Sequence, residues 1–272
     1  MSETISLVFR DGGYRVIDLD EVTADRLAEL SEPAIAALPI RVDGRAAQLG
    51  DVFRVHGSGV AHVRVEGDLR CCHGLGAGTR GGEMLILGDV GHRVGAAMDG
   101  GAITVRGNVG NDAGLAMSGG TLRVTGAAGD RVAAALPGAS KGMTGGEVIV
   151  EGDVGADAAA RVRRGLVVVG GGTGRGPGRS MIAGTLVVFG RVGAQPVEGS
   201  KRGSLVALGA VDVPSTYIYA CTYEPGFIRL VLVHLSRRHG LAIPFGALDG
   251  SYRRYCGDAG GIGKGEILEL VR

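Results

Sequence analysis

The segments GGEMLILGDVG (81–91), GGAITVRGNVG (100–110), GGTLRVTGAAG (119–129), GGEVIVEGDVG (145–155) and AGTLVVFGRVG (183–193) are one motif written repeatedly. Shorter copies, RGLVVVGGGTG (164–174) and RGSLVALGAV (202–211), continue the series. Their second residues are Gly82, Gly101, Gly120, Gly146, Gly165, Gly184 and Gly203, at steps of 19 except for a single step of 26. That longer step holds a seven-residue insertion, Leu136–Gly142, which is expected to bulge from a corner without disturbing the register and to serve subunit contact. An earlier copy, AHVRVEGDLR (61–70), aligns by setting Gly67 against Gly88, 21 residues on.

Between the glycines the residues alternate. Met84/Ile86, Ile103/Val105, Leu122/Val124, Val148/Val150, Leu186/Val188 and Leu205/Ala207 are apolar, whereas the intervening positions vary. A period of two is a strand with one face buried. One short strand per step, repeated in one direction, predicts a stacked solenoid with parallel strand pairing. The glycines that follow each strand read G-x2-G-x3-G: Gly88, Gly91, Gly95; Gly107, Gly110, Gly114; Gly126, Gly129; Gly152, Gly155; Gly171, Gly174, Gly178; and Gly190, Gly193. Corner glycines permit positive φ and close approach of neighbouring copies. Met98, Met117, Met143 and Met181 form a column read as core filler.

Composition agrees. Of 272 residues 52 are Gly, aromatics are 4% and Trp is absent, while apolar residues reach 45%. So much Gly excludes a helical bundle, no third-residue period supports collagen, and the apolar content excludes a disordered chain. A net charge of +1 implies no polyanion-attracting field. The four cysteines form no CxxC pair and Cys71 adjoins Cys72, which points to reduced thiols and a cytoplasmic protein. MSETISLVFRDGG has no basic n-region or apolar h-region, so no signal peptide is expected. Leu230–Val233 is far too short to span a membrane.

The expected organisation is an N-terminal cap (1–57), a repeat domain (58–214) and a C-terminal cap (215–272). Ile5–Phe9 and Tyr14–Leu19 read as strands around Asp11-Gly12-Gly13, and Thr23–Leu30 as a short helix. In FIRLVLVHLSRRHG, Phe227, Leu230, Val231, His234, Leu235 and Arg238 fall on one helical stripe, ending in Gly240. That helix is expected to cover one row of the outward apolar positions Val168, Val187, Phe189, Val206 and Leu208. The remaining strip would be a permanent protein interface, with C-terminal tyrosines at its rim.

The G-x2-G-x3-G repeat, with LGDVFRVHG (49–57) and YRRYCGDAGGIGKGEIL (252–268), resembles the C-type subunit family shared by formylmethanofuran dehydrogenase and the formyltransferase/hydrolase complex. The repeat alone is also similar to the C-terminal domain of the glutamate synthase large subunit. The resemblance implies an all-β fold, a right-handed parallel β-helix with small α/β caps. It implies a noncatalytic scaffold without a cofactor of its own, partnered by formyltransferase, hydrolase and a further scaffold protein. In that hetero-oligomer a formyl group would pass from formyl-tetrahydromethanopterin through a methanofuran-type carrier to formate, in formaldehyde and methanol metabolism. Alternatives are the C-type subunit of a tungsten or molybdenum formylmethanofuran dehydrogenase, or a free-standing glutamate-synthase-like module.

Other candidate sites have plainer readings. Gly74-Leu-Gly76-Ala-Gly78 and Gly170–Gly174 resemble nucleotide loops but open no helix of a βαβ unit. Cys71, Cys72 and His73 stand near an aligned column of Cys71, His92, Asn111 and Asp130; the favoured reading is polar corner residues, with zinc binding and a Cys-His nucleophile pair as the alternatives. Arg161, Arg163, Arg164, Arg175, Arg179, Lys201 and Arg202, then Arg237, Arg238, Arg253 and Arg254, form basic groups suited to a solvated rim, an interface between subunits or an acidic carrier tail. Without interleaved aromatics they are not expected to bind nucleic acid. Tyr217, Tyr219, Tyr223, Tyr252 and Tyr255 cluster after the repeat, as a cap or a partner surface.

Overall fold

A computed structural model describes residues 4–10 and 12–271. Its strands, in chain order, are β1 (Ile5–Phe9), β2 (Ile17–Asp18), β3 (Pro39–Val42), β4 (Arg45–Gln48), β5 (Phe53–His56), β6 (His62–Glu66), β7 (Cys72–His73), β8 (Glu83–Leu87), β9 (Ala102–Arg106), β10 (Thr121–Val124), β11 (Glu147–Val150), β12 (Leu166–Val169), β13 (Thr185–Val188), β14 (Arg202–Ala207), β15 (Ile218–Tyr223), β16 (Tyr252–Gly257) and β17 (Lys264–Leu270). The helices are α1 (Ala24–Ala28), α2 (Glu32–Ala36), α3 (Leu49–Val52) and α4 (Gly226–His239).

Among the described residues the strands form a 13-stranded sheet, ordered β15-β16-β17-β14-β13-β12-β11-β10-β9-β8-β6-β1-β5, and a 4-stranded sheet, β4-β3-β2-β7. The long sheet is parallel from β1 through β17 and antiparallel at its two ends. Each repeat strand pairs with the next in register. Leu122 lies beside Ile103 and Val148, and Val124 beside Val105 and Val150. The alternating apolar positions form continuous columns: Ile103, Val105, Leu122, Val124, Val148 and Val150 are fully buried. Burying one such side chain contributes about 1.5–3 kcal/mol. The four column methionines are buried with them.

The expected right-handed parallel β-helix is not what this arrangement shows. It shows one long, mostly parallel sheet with a small second sheet and, among the described residues, no closed or multi-faced strand solenoid. The reason lies in the segments between strands. Past each strand, a single bridged residue links the copies in a row: Leu69, Val90, Val109, Ala128, Val154 and Thr173. Beyond it the backbone is left-handed at every second residue. Gly74, Gly76 and Gly78 (φ 74, 71 and 73) are followed 19 positions on by Arg93, Gly95 and Ala97 (φ 64, 61 and 55), then by Asp112, Gly114 and Ala116 (φ 67, 63 and 56). A strand needs extended residues throughout, so these segments stack through backbone hydrogen bonds without becoming strands. Gly74 N–H donates to His92 O, Arg93 N–H to Asn111 O, and Asp112 N–H to Asp130 O.

The glycines of the G-x2-G-x3-G pattern fall into two kinds. The third is left-handed, and where it is replaced, Ala133, Ala159 and Val197 hold the same conformation at φ 56, 58 and 51. At the second, Gly110, the conformation is outside that region and the requirement is space. A Cβ there would sit 2.4 Å from His92 Nδ1 and 3.0 Å from the Gly91 carbonyl.

At the N-terminus, β1 and β2 do not form a hairpin. β1 pairs with β5 and β6, whereas β2 joins the small sheet between β3 and β7. Asp11, in the proposed turn, lies outside the described residues. The insertion leaves the register intact, since Thr121 still pairs with Glu147. Leu136 is half exposed, and Ala139 O accepts from Arg161 Nη1 at 2.8 Å.

Candidate functional site

The outer face of the long sheet divides into two halves. In the later half, Ile149, Val168, Val187, Val206 and Leu208 are buried beneath Ile228, Leu232 and Leu235 of α4, together with Ala247, Tyr252 and Leu268. Burial pushes the Tyr252 phenol up to about 12, and its hydroxyl donates to Ala247 O at 2.7 Å. The exposed apolar strip expected here is therefore absent among the described residues. The helix is also turned relative to its predicted stripe: Ile228, Leu232, Leu235 and His239 face inward, while Phe227 and Leu230 are exposed. Two apolar rows run along this helix, and only the sheet beneath decides which is buried.

The earlier half is open. His62, Arg64, Glu83, Leu85, Thr104 and Arg106 of β6, β8 and β9 line a shallow cavity of about 520 Å³. His62 Nδ1 lies 3.4 Å from Glu83 Oε2, and Arg64 pairs with Glu66. Exposed apolar side chains gather instead in the C-terminal cap. They are Ile218, Tyr219, Phe227, Leu230, Phe245 and Ile262, with Phe245 fully exposed. β15 carries two of them and ends the sheet, pairing with β16 on one side. A free strand edge with apolar neighbours is suited to a protein partner.

At the junction of the two halves stands a polar cluster. Glu147, the first residue of β11, points outward between Thr121 and Leu166. Its Oε1 accepts from His234 Nε2 at 2.7 Å and its Oε2 from His239 Nε2 at 2.9 Å. The imidazole rings are 5.3 Å apart and nearly perpendicular. His239, the last residue of α4, is 7% exposed, whereas the His234 side chain is 38% exposed. The three can present one ligand atom each within 4.8 Å of one another. Residue spacing puts His234 on the helix stripe and Glu147 among the variable outer positions of its strand. Nothing local links residues 87 positions apart.

The residues singled out from the sequence lie elsewhere. It is His73, not Cys71, that stacks on His92, at 4.7 Å between ring centroids. The repeat pitch is 21 at the strand (His62 to Glu83) but 19 at the corner, so the early copy has two extra residues between Leu69 and His73. The column is a ladder of acceptors. His73 Nδ1 accepts from His92 N–H, His92 Nδ1 from Asn111 N–H, Asn111 Oδ1 from Asp130 N–H and Asp130 Oδ1 from Ala156 N–H, at 2.7–2.9 Å. Each side chain spends its acceptor on the next copy's backbone. Burial, then the charge of His92, lowers the His73 pKa, which suits a ring that must accept. Among the described residues no two cysteines form a disulfide; Cys72 is buried, which pushes its thiol far up. A protonated buried thiol is a poor nucleophile.

Many of the basic residues are paired. Arg253 and Arg254 face Glu269 and Glu266 at 3.5 and 2.7 Å, and Arg179 faces Asp157 at 3.3 Å. Tyr217 is buried with its hydroxyl 2.6 Å from Ser200 Oγ, whereas Tyr219 is exposed against Tyr255. No helix is long and apolar enough to cross a membrane among the described residues.

No family model matches the chain, and no curated protein does. Among solved structures it is similar to a chain of the formyltransferase/hydrolase complex (FhcABCD) from Methylorubrum extorquens, determined in complex with methylofuran. The TM-score is 0.89 and the sequences are 33% identical, over 98% of this chain and 100% of that one.

Proposed function

The chain belongs to the family of a component of the formyltransferase/hydrolase complex, and on that premise we propose that it is the noncatalytic scaffold, the C-type member, of such a complex in the cytoplasm. The observation that carries this reading is the likeness to a chain of that complex along nearly the whole length of both. The likeness to a hydrolytic complex favours formyl transfer and hydrolysis over the tungsten or molybdenum version. The complex would move a formyl group from formyl-tetrahydromethanopterin to a methanofuran-type carrier and release formate, as part of formaldehyde and methanol use.

The division of the surface supports a scaffold. The repeat columns form one continuous buried core, and α4 covers the later half of the long sheet's outer face. The exposed Ile218, Tyr219, Leu230 and Phe245 and the free edge of β15 remain for partners. Permanent interfaces bury such side chains at their centres. The test is to assay the purified chain alone, the partners without it, and the reconstituted complex for formyl transfer and formate release. The expected result is no turnover by the chain alone and restored activity on reconstitution. Turnover by the isolated chain would overturn the reading.

A further inference from the structure

We propose that Glu147, His234 and His239 form a binding site for a first-row divalent metal ion, zinc above others, which ties the end of α4 to the sheet. Two imidazoles turn the same nitrogen, Nε2, toward one carboxylate, at 2.7 and 2.9 Å from its two oxygens. Two histidines and a glutamate are a donor set that zinc accepts, with a fourth position left for water or another ligand. Imidazole nitrogen with carboxylate oxygen selects zinc, copper, nickel or iron over magnesium or calcium, which prefer oxygen alone.

The surroundings fit the site. Glu147 forms ion pairs with these two imidazoles, and none with a lysine or arginine among the described residues. A half-buried carboxylate faced by two imidazole nitrogens is favourable ground for a cation. One side of the cluster is closed by His239 and the other opens to solvent through His234, which supplies an entry path. The ligands come from β11 and from the last two turns of α4, so the ion would cross-link elements far apart in the chain and exist only in the folded state. The position marks the border between the covered and open halves of the face, where a fixed helix end would set the edge of a protein interface. This inference does not depend on the scaffold reading.

The experiment uses the full chain, stripped with a chelator and dialysed. Zinc chloride is titrated by calorimetry, and cobalt chloride is followed by its visible absorption. The expected result is one zinc per chain, a cobalt spectrum of nitrogen and oxygen ligation, and a melting midpoint raised by zinc. His234→Ala, at the more exposed ligand, and Glu147→Gln should each lose stoichiometric binding and the zinc-dependent midpoint rise, while the metal-free proteins remain folded. Should His239→Ala fail to fold, those two variants decide alone. Absence of stoichiometric zinc, cobalt and nickel binding by the wild-type chain would overturn the proposal and leave a carboxylate clamp between two histidines. Binding undiminished in His234→Ala and Glu147→Gln would overturn it equally.

Discussion

Replacing Gly107 by Ala isolates the reason for the repeat glycines. Gly107 is outside the left-handed region, so alanine can adopt its backbone conformation. The added Cβ would lie 2.4 Å from the Gly88 carbonyl oxygen, 2.5 Å from its carbon and 2.9 Å from Asp89 N. An ordinary contact begins near 3.4 Å, so the neighbouring copy must move by about 1 Å. That backbone is held by its own hydrogen bond, Gly88 N–H to Arg106 O at 3.1 Å, and cannot swing aside as a side chain would. Overpacking costs about 1–3 kcal/mol. Loss of unfolded-state freedom offsets about 0.4–1 kcal/mol of this. The net is a destabilisation centred on about 1.3 kcal/mol, a fall of roughly 3–5 °C in melting midpoint at about 2–4 °C per kcal/mol. Gly81→Ala is the control: its conformation is also outside the left-handed region, and nothing lies within 4 Å of its Cβ. Alanine there should leave the midpoint unchanged or raise it. Differential scanning calorimetry of both variants decides. Equal shifts would refute close approach as the reason for these glycines.

Three further outcomes can be checked. Val124→Asp buries an unpaired carboxylate between Val105 and Val150 and should cost about 3–5 kcal/mol, whereas Thr125→Asp, exposed, should shift the midpoint by less than about 2 °C; chemical denaturation compares them. The folded pKa of His73 lies below the ordinary 6.5, so the unfolded chain takes up that proton first as pH falls. Its contribution to stability is present above 6.5 and is lost as pH drops from there toward the folded value. His73→Asn keeps an acceptor without titrating, and its melting midpoint should fall less than the wild type's between pH 7.5 and 5 (~2.5 units); identical profiles would refute the ladder's protonation requirement. Deleting Leu136–Gly142 restores the 19-residue pitch and should leave a folded chain by circular dichroism; assembly of the deleted chain with its partners, undiminished, would remove the insertion from the contact surface.

The strands of the repeat were legible because two signals coincide in them: alternation of Met84/Ile86 or Leu122/Val124, and glycines at a fixed pitch. The segments between them were not. Arg93, Asp112 and Arg131 are left-handed without being glycine, so their residue types conceal the conformation that keeps these segments out of strands. A strand solenoid was therefore expected where a single long sheet forms. The phase of α4 was ambiguous because Phe227 and Leu230 are as apolar as Ile228 and Leu232, and the burial of Val187 and Val206 beneath it selects one row. The Glu147 cluster needs the register of β11 and the end of α4 together. Its members are each unremarkable locally, and only the fold brings them to one point.

The proposed scaffold role means that this chain holds other proteins of the complex rather than turning over substrate. Affinity purification of the tagged full chain from its own cells, with mass spectrometry of what elutes, tests it most directly. The formyltransferase and the hydrolase should elute with it in fixed stoichiometry, and Leu230→Asp and Phe245→Asp should weaken their recovery while the chain stays folded. Elution of the wild-type chain alone, as a monomer, would contradict the scaffold role.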